Sequence, residues 1–232
     1  MSNEKLPLAF LPGQLCTESL WGSQLSAFPD QSQIIVQRDH DTVEKMAVAT
    51  LNAMPERVNL VCHAMGGFVA FEIMRRAPQR IANLVLISTL APADTPKQTV
   101  RREGYLRLVE EGKFDAIIEE RLPILVHPDR MRDATLTGVL RQMAYDTGAE
   151  TFLKQQRAIM ARPDSRPSLN AIPCPTLLIY GRSDGITTME HQQQMLDAIP
   201  NVRLEIVEGS GHMVTLEKPQ VVNGLLSQFL GR

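Results

Sequence analysis

Three things are scarce in this chain of 232 residues: cysteine, unbalanced charge and long apolar stretches. The three cysteines, Cys16, Cys62 and Cys174, are far apart, odd in number and in no zinc-ligand spacing. That excludes a disulfide framework and suits a reducing, cytoplasmic setting. Lys and Arg number 24 against 26 Asp and Glu, a net charge of −2. No basic field is available for a phosphate backbone, so nucleic acid has no support as a partner. No apolar run approaches the roughly 20 residues that a membrane span needs, which argues against a membrane partner. Met1-Ser2-Asn3-Glu4-Lys5 lacks the apolar core of a signal peptide. What is present is ordinary for a globular one-domain protein: 44% hydrophobic and 22% charged residues. A chain of this length can bury roughly 70% of its unfolded surface without a metal or disulfide staple.

Short apolar runs alternate with segments of helical period. The runs are Leu6–Leu11, Gln33–Gln37, Val58–Cys62, Ala82–Leu90, Pro175–Tyr180 and Arg203–Val207. Thr17 opens a helical pattern with Leu20, Trp21, Leu25 and Phe28 on one face. Asp41 followed by Glu44 reads as a capping box ahead of Met46, Ala47, Thr50, Leu51 and Met54. Gly66–Arg76 reads as a helix, Thr188 as the cap of another, and Lys218–Leu230 as the last. This alternation predicts an α/β fold, a mostly parallel sheet covered by helices on both faces.

From 97 to 168 there is no strand run. Leu136, Val139, Leu140 and Met143, then Phe152, Gln156, Ile159 and Met160, recur at helical spacing instead. The expected organisation is a core of 1–96 and 169–232 with a helical lid, 97–168, inserted into it. Arg101, Arg102, Arg130, Arg132, Arg141, Arg157 and Arg162 populate this insert. They read first as a solvated helix face, and second as a cluster that recognises a carboxylate or phosphate.

The third run leads straight into Val61-Cys62-His63-Ala64-Met65-Gly66-Gly67 and then a helix. So sharp a strand-to-helix turn needs small residues around its apex, which is held strained at the carboxyl end of the sheet. The usual pattern there is Gly-x-Ser-x-Gly; here Cys62 takes the first glycine position and Ala64 the apex. After the fifth run comes Gly181-Arg182-Ser183-Asp184, and after the sixth Gly209-Ser210-Gly211-His212. The order apex, Asp, His is that of a hydrolase built on such an elbow. Asp184 is expected to fix the tautomer of His212, and His212 to act as base toward an apex hydroxyl. The oxyanion hole is expected from the amides of Met65 and Gln14. His63 reads as a buried hydrogen-bonding residue and His40 as a surface loop residue.

On these residues the sequence resembles the α/β-hydrolase superfamily, in the branch of small esterases and C–C hydrolases with a helical cap. Leu11-Pro12-Gly13 stands where many relatives have Leu-His-Gly. Trp21 follows Gly13 as it does in carboxylesterases of the pimeloyl-ester type, and His63-Ala64-Met65-Gly66-Gly67 is similar to His-Ser-Met-Gly-Gly. The resemblance implies a sheet of about six strands, lacking two usual N-terminal ones, and a small-molecule substrate. It implies neither a metal nor an organic cofactor. Leu15, Cys16, Leu90, Met143, Met160, Ile186 and Met213 are the candidate pocket residues. Alanine offers no nucleophile, so the chain as written is expected to be an inactive carboxylic-ester hydrolase. The intact Asp184, His212 and oxyanion loop favour a serine parent altered to alanine. The alternatives are a C–C hydrolase or lactonase using the same residues, a naturally serine-less His–Asp enzyme, and a ligand receptor.

Overall fold

The computed structural model describes residues 6–30 and 32–232. The reading of the first five residues therefore lies outside the described part.

Six strands form one sheet: β1 (Leu8–Leu11), β2 (Ser32–Ile34), β3 (Val58–His63), β4 (Ile81–Ile87), β5 (Thr176–Gly181) and β6 (Val202–Val207). Their order is β2-β1-β3-β4-β5-β6, and every neighbouring pair is parallel. The helices are α1 (Gly22–Ala27), α2 (Val43–Ala53), α3 (Met65–Arg76), α4 (Pro96–Glu110), α5 (Phe114–Leu125), α6 (Ala134–Ala161), α7 (Met189–Ala198), α8 (Val214–Glu217) and α9 (Pro219–Leu230).

Each central strand is apolar on both faces, as a sheet covered twice requires. Leu8 and Phe10 pack with Trp21 and the α9 residues Val222 and Leu226. Ala9 and Leu11, pointing the other way, pack with Met46 of α2, Ile73 of α3 and Met195 of α7. Leu84 and Leu86 of β4 join this second layer, while Val85 and Ile87 join the first. A third cluster, Tyr105, Ile117, Ile118, Ala144 and Phe152, ties α4, α5 and α6 together and includes Leu15 from the loop after β1.

Some boundaries move for local reasons. β2 is shorter than the run Gln33–Gln37 and begins one residue earlier, at Ser32. β4 stops at Ile87 rather than Leu90 because Ser88 turns to φ 49°. The cap of α2 is Thr42, whose hydroxyl accepts from the Lys45 amide at 3.2 Å; Asp41 bonds the Lys45 ammonium instead, at 2.9 Å. Thr188 caps α7 as expected, accepting from the His191 amide. α6 is interrupted at Gly148, which takes φ 77°.

The chain reverses direction across the sheet between β1 and β3. In open α/β sheets a crevice opens at the carboxyl ends of strands at such a switch point. Among the described residues, no helix is long and apolar enough to cross a membrane. Nor do three His, Cys, Asp or Glu side chains there converge as a metal site.

Candidate active site

The crevice at the switch point is a cavity whose floor is the end of β3. Ala64 follows β3 and caps α3 with φ 47° and ψ −110°, a conformation that L-residues rarely hold. Its neighbours enforce it. The Ala64 amide donates to the Ile87 carbonyl at 2.9 Å, and its carbonyl accepts from the Thr89 hydroxyl at 2.8 Å. Gly66 allows the turn, since a Cβ there would overlap the backbone carbonyl of Leu11. The sharp elbow expected from the sequence is therefore present, with a methyl group at its apex.

His212 lies in the loop after β6 and lines the same cavity as Ala64. Its Nδ1 sits 3.0 and 2.9 Å from the two Asp184 carboxylate oxygens. That contact places the proton on Nδ1 and leaves Nε2 free to accept one. Asp184 is fully enclosed and further held by the amides of Ile186 and Thr187, at 2.7 and 3.0 Å, and by the Thr187 hydroxyl at 2.6 Å. Burial alone raises a carboxyl pKa. The charge of His212 and these hydrogen bonds outweigh it and keep Asp184 below its ordinary value.

Two contacts fix the loop that carries His212. Glu217 accepts from the Gly211 amide at 2.8 Å and from the His127 amide at 2.7 Å, linking the loop to the end of α5. His63 is buried beneath, and its Nε2–H donates to the His212 carbonyl at 3.0 Å. Burial, then repulsion from His212, pushes the His63 pKa down to about 3, so it is a neutral support.

Met65 heads α3, where the first amides have no intrahelical acceptor. In the loop after β1, Leu15 has φ 57° and donates its amide to Gln155 Oε1 at 3.1 Å. Cys16 donates its own amide to the Gly13 carbonyl. The Gln14 amide makes no bond among the described residues, and both Gln14 and Met65 line the cavity. Cys16 lines it too, but burial pushes its thiol up to about 12, so it is no thiolate.

Of the candidate pocket residues, Leu15, Cys16, Leu90, Met143, Ile186 and Met213 line the cavity. Met160 does not; its neighbour Ile159 does. One residue along a helix turns the side chain by about 100°, and the pattern after Gly148 starts a new phase. His40 also lies away from the cavity.

Several residues escaped the sequence reading. Ser88 lines the cavity with a buried hydroxyl that has no partner. Arg102 and Arg162 are not solvated. They clamp buried Asp94 at 2.6 Å each, joining the loop after β4 to α4 and to the end of α6. Arg121 of α5 is buried in the cavity wall. Its signal was available, because Ile117, Ile118, Arg121 and Leu122 share one helical face.

Comparisons with known proteins agree with this architecture. A family model described as the alpha/beta hydrolase family matches residues 22–225. RutD of Azorhizobium caulinodans, which carries a provisional name as a carbamate hydrolase, is 25% identical over 97% of this chain and 91% of its own. A 2-hydroxy-6-oxononadienedioate/2-hydroxy-6-oxononatrienedioate hydrolase of Cupriavidus pinatubonensis is 27% identical over 76% of this chain and 63% of its own. Among solved structures, a thermophilic esterase from Thermogutta terrifontis superposes with a TM-score of 0.89 at 26% identity, over 97% of this chain and 89% of that one.

Proposed function

The chain belongs to the alpha/beta hydrolase family, and from that premise we propose that it is built as a carboxylic-ester hydrolase whose nucleophile position carries alanine. The observation that supports this most is the backbone of Ala64. A strained φ of 47° is held at the apex of the elbow, in a cavity shared with the His212–Asp184 pair, for a side chain that has no use for it. Residues 97–168 act as a cap over a core of 1–96 and 169–232.

With a serine at position 64 the residues have defined tasks. His212 Nε2 takes the hydroxyl proton as the oxygen attacks the ester carbonyl. The oxyanion rests on the Gln14 and Met65 amides. The tetrahedral intermediate collapses, the alcohol leaves with the proton from His212, and an acyl ester remains on the protein. Water then gives a proton to His212 and its oxygen to the acyl carbon, and the acid is released as His212 returns that proton to the departing serine oxygen. Without the hydroxyl the first bond cannot form, so the chain as written is inert in this reaction. A serine parent altered to alanine fits the intact partners.

The Cupriavidus relative favours a second reading, a C–C hydrolase using the same residues. The preserved His212–Asp184 pair favours a third, a base that works without serine.

Assays of the chain and of Ala64→Ser on p-nitrophenyl esters of several chain lengths test the proposal. Ester turnover is expected from Ala64→Ser alone, faster by about 10⁴-fold or more. Ala64→Ser inert on every ester, beside an unaltered chain that turns over another compound, contradicts it.

A further inference from the structure

The cavity wall holds more positive charge than the protein itself answers. Arg101, Arg102, Arg121 and Arg162 all line it. Arg102 and Arg162 share one carboxylate, Asp94, which holds both side chains in place. Arg121 is different. It is 9% exposed, and its buried Nε has no hydrogen-bond partner among the described residues. The groups that act most on its charge are Tyr105, Arg102, Arg101 and Cys16, none of them a carboxylate. Burial, the largest of the effects on it, lowers its pKa only to about 10, so it remains a cation at neutral pH.

A buried guanidinium without an anion is costly unless something arrives to pair with it. Its wall position sets where that pairing occurs. Ile118 and Leu125, about one turn to either side on α5, line the same cavity as Ala64 and His212. Cys16, near enough to feel the charge, belongs to the loop that presents the Gln14 amide. A planar fork of donors matches a carboxylate with two parallel bonds.

The geometry points to Arg121 as the carboxylate-binding subsite of this cavity: the substrate is an ester that carries a free carboxylate as well as the scissile bond, not a neutral ester. The inference rests on the hydrolase reading and narrows it to acidic substrates.

The test uses two p-nitrophenyl esters that differ by one terminal carboxylate, p-nitrophenyl hydrogen glutarate and p-nitrophenyl butyrate. Both are assayed with Ala64→Ser and with Ala64→Ser carrying Arg121→Met. The first enzyme is expected to favour the glutarate in kcat/KM by about tenfold or more, mostly through KM. Arg121→Met is expected to collapse that ratio toward one, and Arg121→Lys, which keeps the charge without the fork, to retain part of it. Turnover of both esters with a ratio indifferent to Arg121 overturns the subsite and leaves the hydrolase reading standing. If Ala64→Ser cleaves neither ester, that counts against the ester reading and not against the subsite, which calorimetry on the unaltered chain decides. Arg121-dependent binding of monomethyl glutarate over methyl butyrate upholds it. Equal binding of the two, or no binding of either, overturns it.

Discussion

The carboxyl ends of the strands and the helices between β4 and β5 meet at one cavity, yet they build it by different means. The strand ends use backbone geometry. Leu15, Ala64 and Ser88 are the non-glycine residues with positive φ among those described, and all three line the cavity. Their side chains matter less than the amides and angles that the sheet imposes. The helices use charge and side-chain shape: Arg101, Arg102 and Arg121, with Ile118, Leu140, Met143 and Ile159. Chemistry that depends on a fixed oxyanion geometry belongs on the rigid sheet. Recognition, which changes from substrate to substrate, belongs on the helices.

The sharpest way to break this division is to remove the strand-end partners from Ala64→Ser. His212→Ala in that background is expected to erase the gained ester turnover, a loss of about 10⁴-fold or more. Asp184→Asn is expected to cost about 10⁴-fold in kcat by favouring the wrong tautomer. Steady-state rates on a p-nitrophenyl ester read both. A loss below tenfold for either would mean that the pair is structural.

The join between the two regions is tested by Asp94→Ala, which strands the buried charges of Arg102 and Arg162. Urea unfolding is expected to show a loss of about 3–5 kcal/mol. Gly66→Ala forces a methyl group onto the Leu11 carbonyl and is expected to cost about 1–3 kcal/mol in the same measurement.

A pH series sharpens the role of His63. Its native pKa is about 3 against an ordinary 6.5, so between those values the unfolded chain binds a proton that the native chain refuses. Stability therefore falls as pH drops through that window. His63→Gln, which retains a donor for the His212 carbonyl, is expected to flatten the difference in urea midpoint across it. An unchanged slope would show that His63 is protonated in the native state. The smallest effect concerns helix phase. In Ala64→Ser, Ile159→Ala is expected to raise KM severalfold while Met160→Ala leaves it unmoved.

These cases also show how far the sequence could be read. The strands, the elbow, Asp184 and His212 are legible because each depends on a few adjacent residues: an apolar run, small residues at a turn, an acid or a histidine at a strand end. Capping is legible to within a residue, since Asp41 and Thr42 both carry a suitable oxygen and only the backbone chooses between them. Ile159 could not be told from Met160, because the bend at Gly148 resets the phase of α6. Arg102 and Arg162 read as solvated because their partner, Asp94, lies in a loop far from Arg162 in sequence. Glu217 is similar: an acid in an otherwise apolar stretch after His212 signals burial, but not which amides it receives.

Position 64, as proposed above, is a nucleophile site with its oxygen removed. Intact-mass analysis of Ala64→Ser after brief mixing with p-nitrophenyl acetate tests it most directly. One acetyl group per chain is expected, mapped by peptide digestion to position 64, and none on the unaltered chain under the same conditions. Acetylation that is absent from Ala64→Ser, or equal in both proteins, would contradict it.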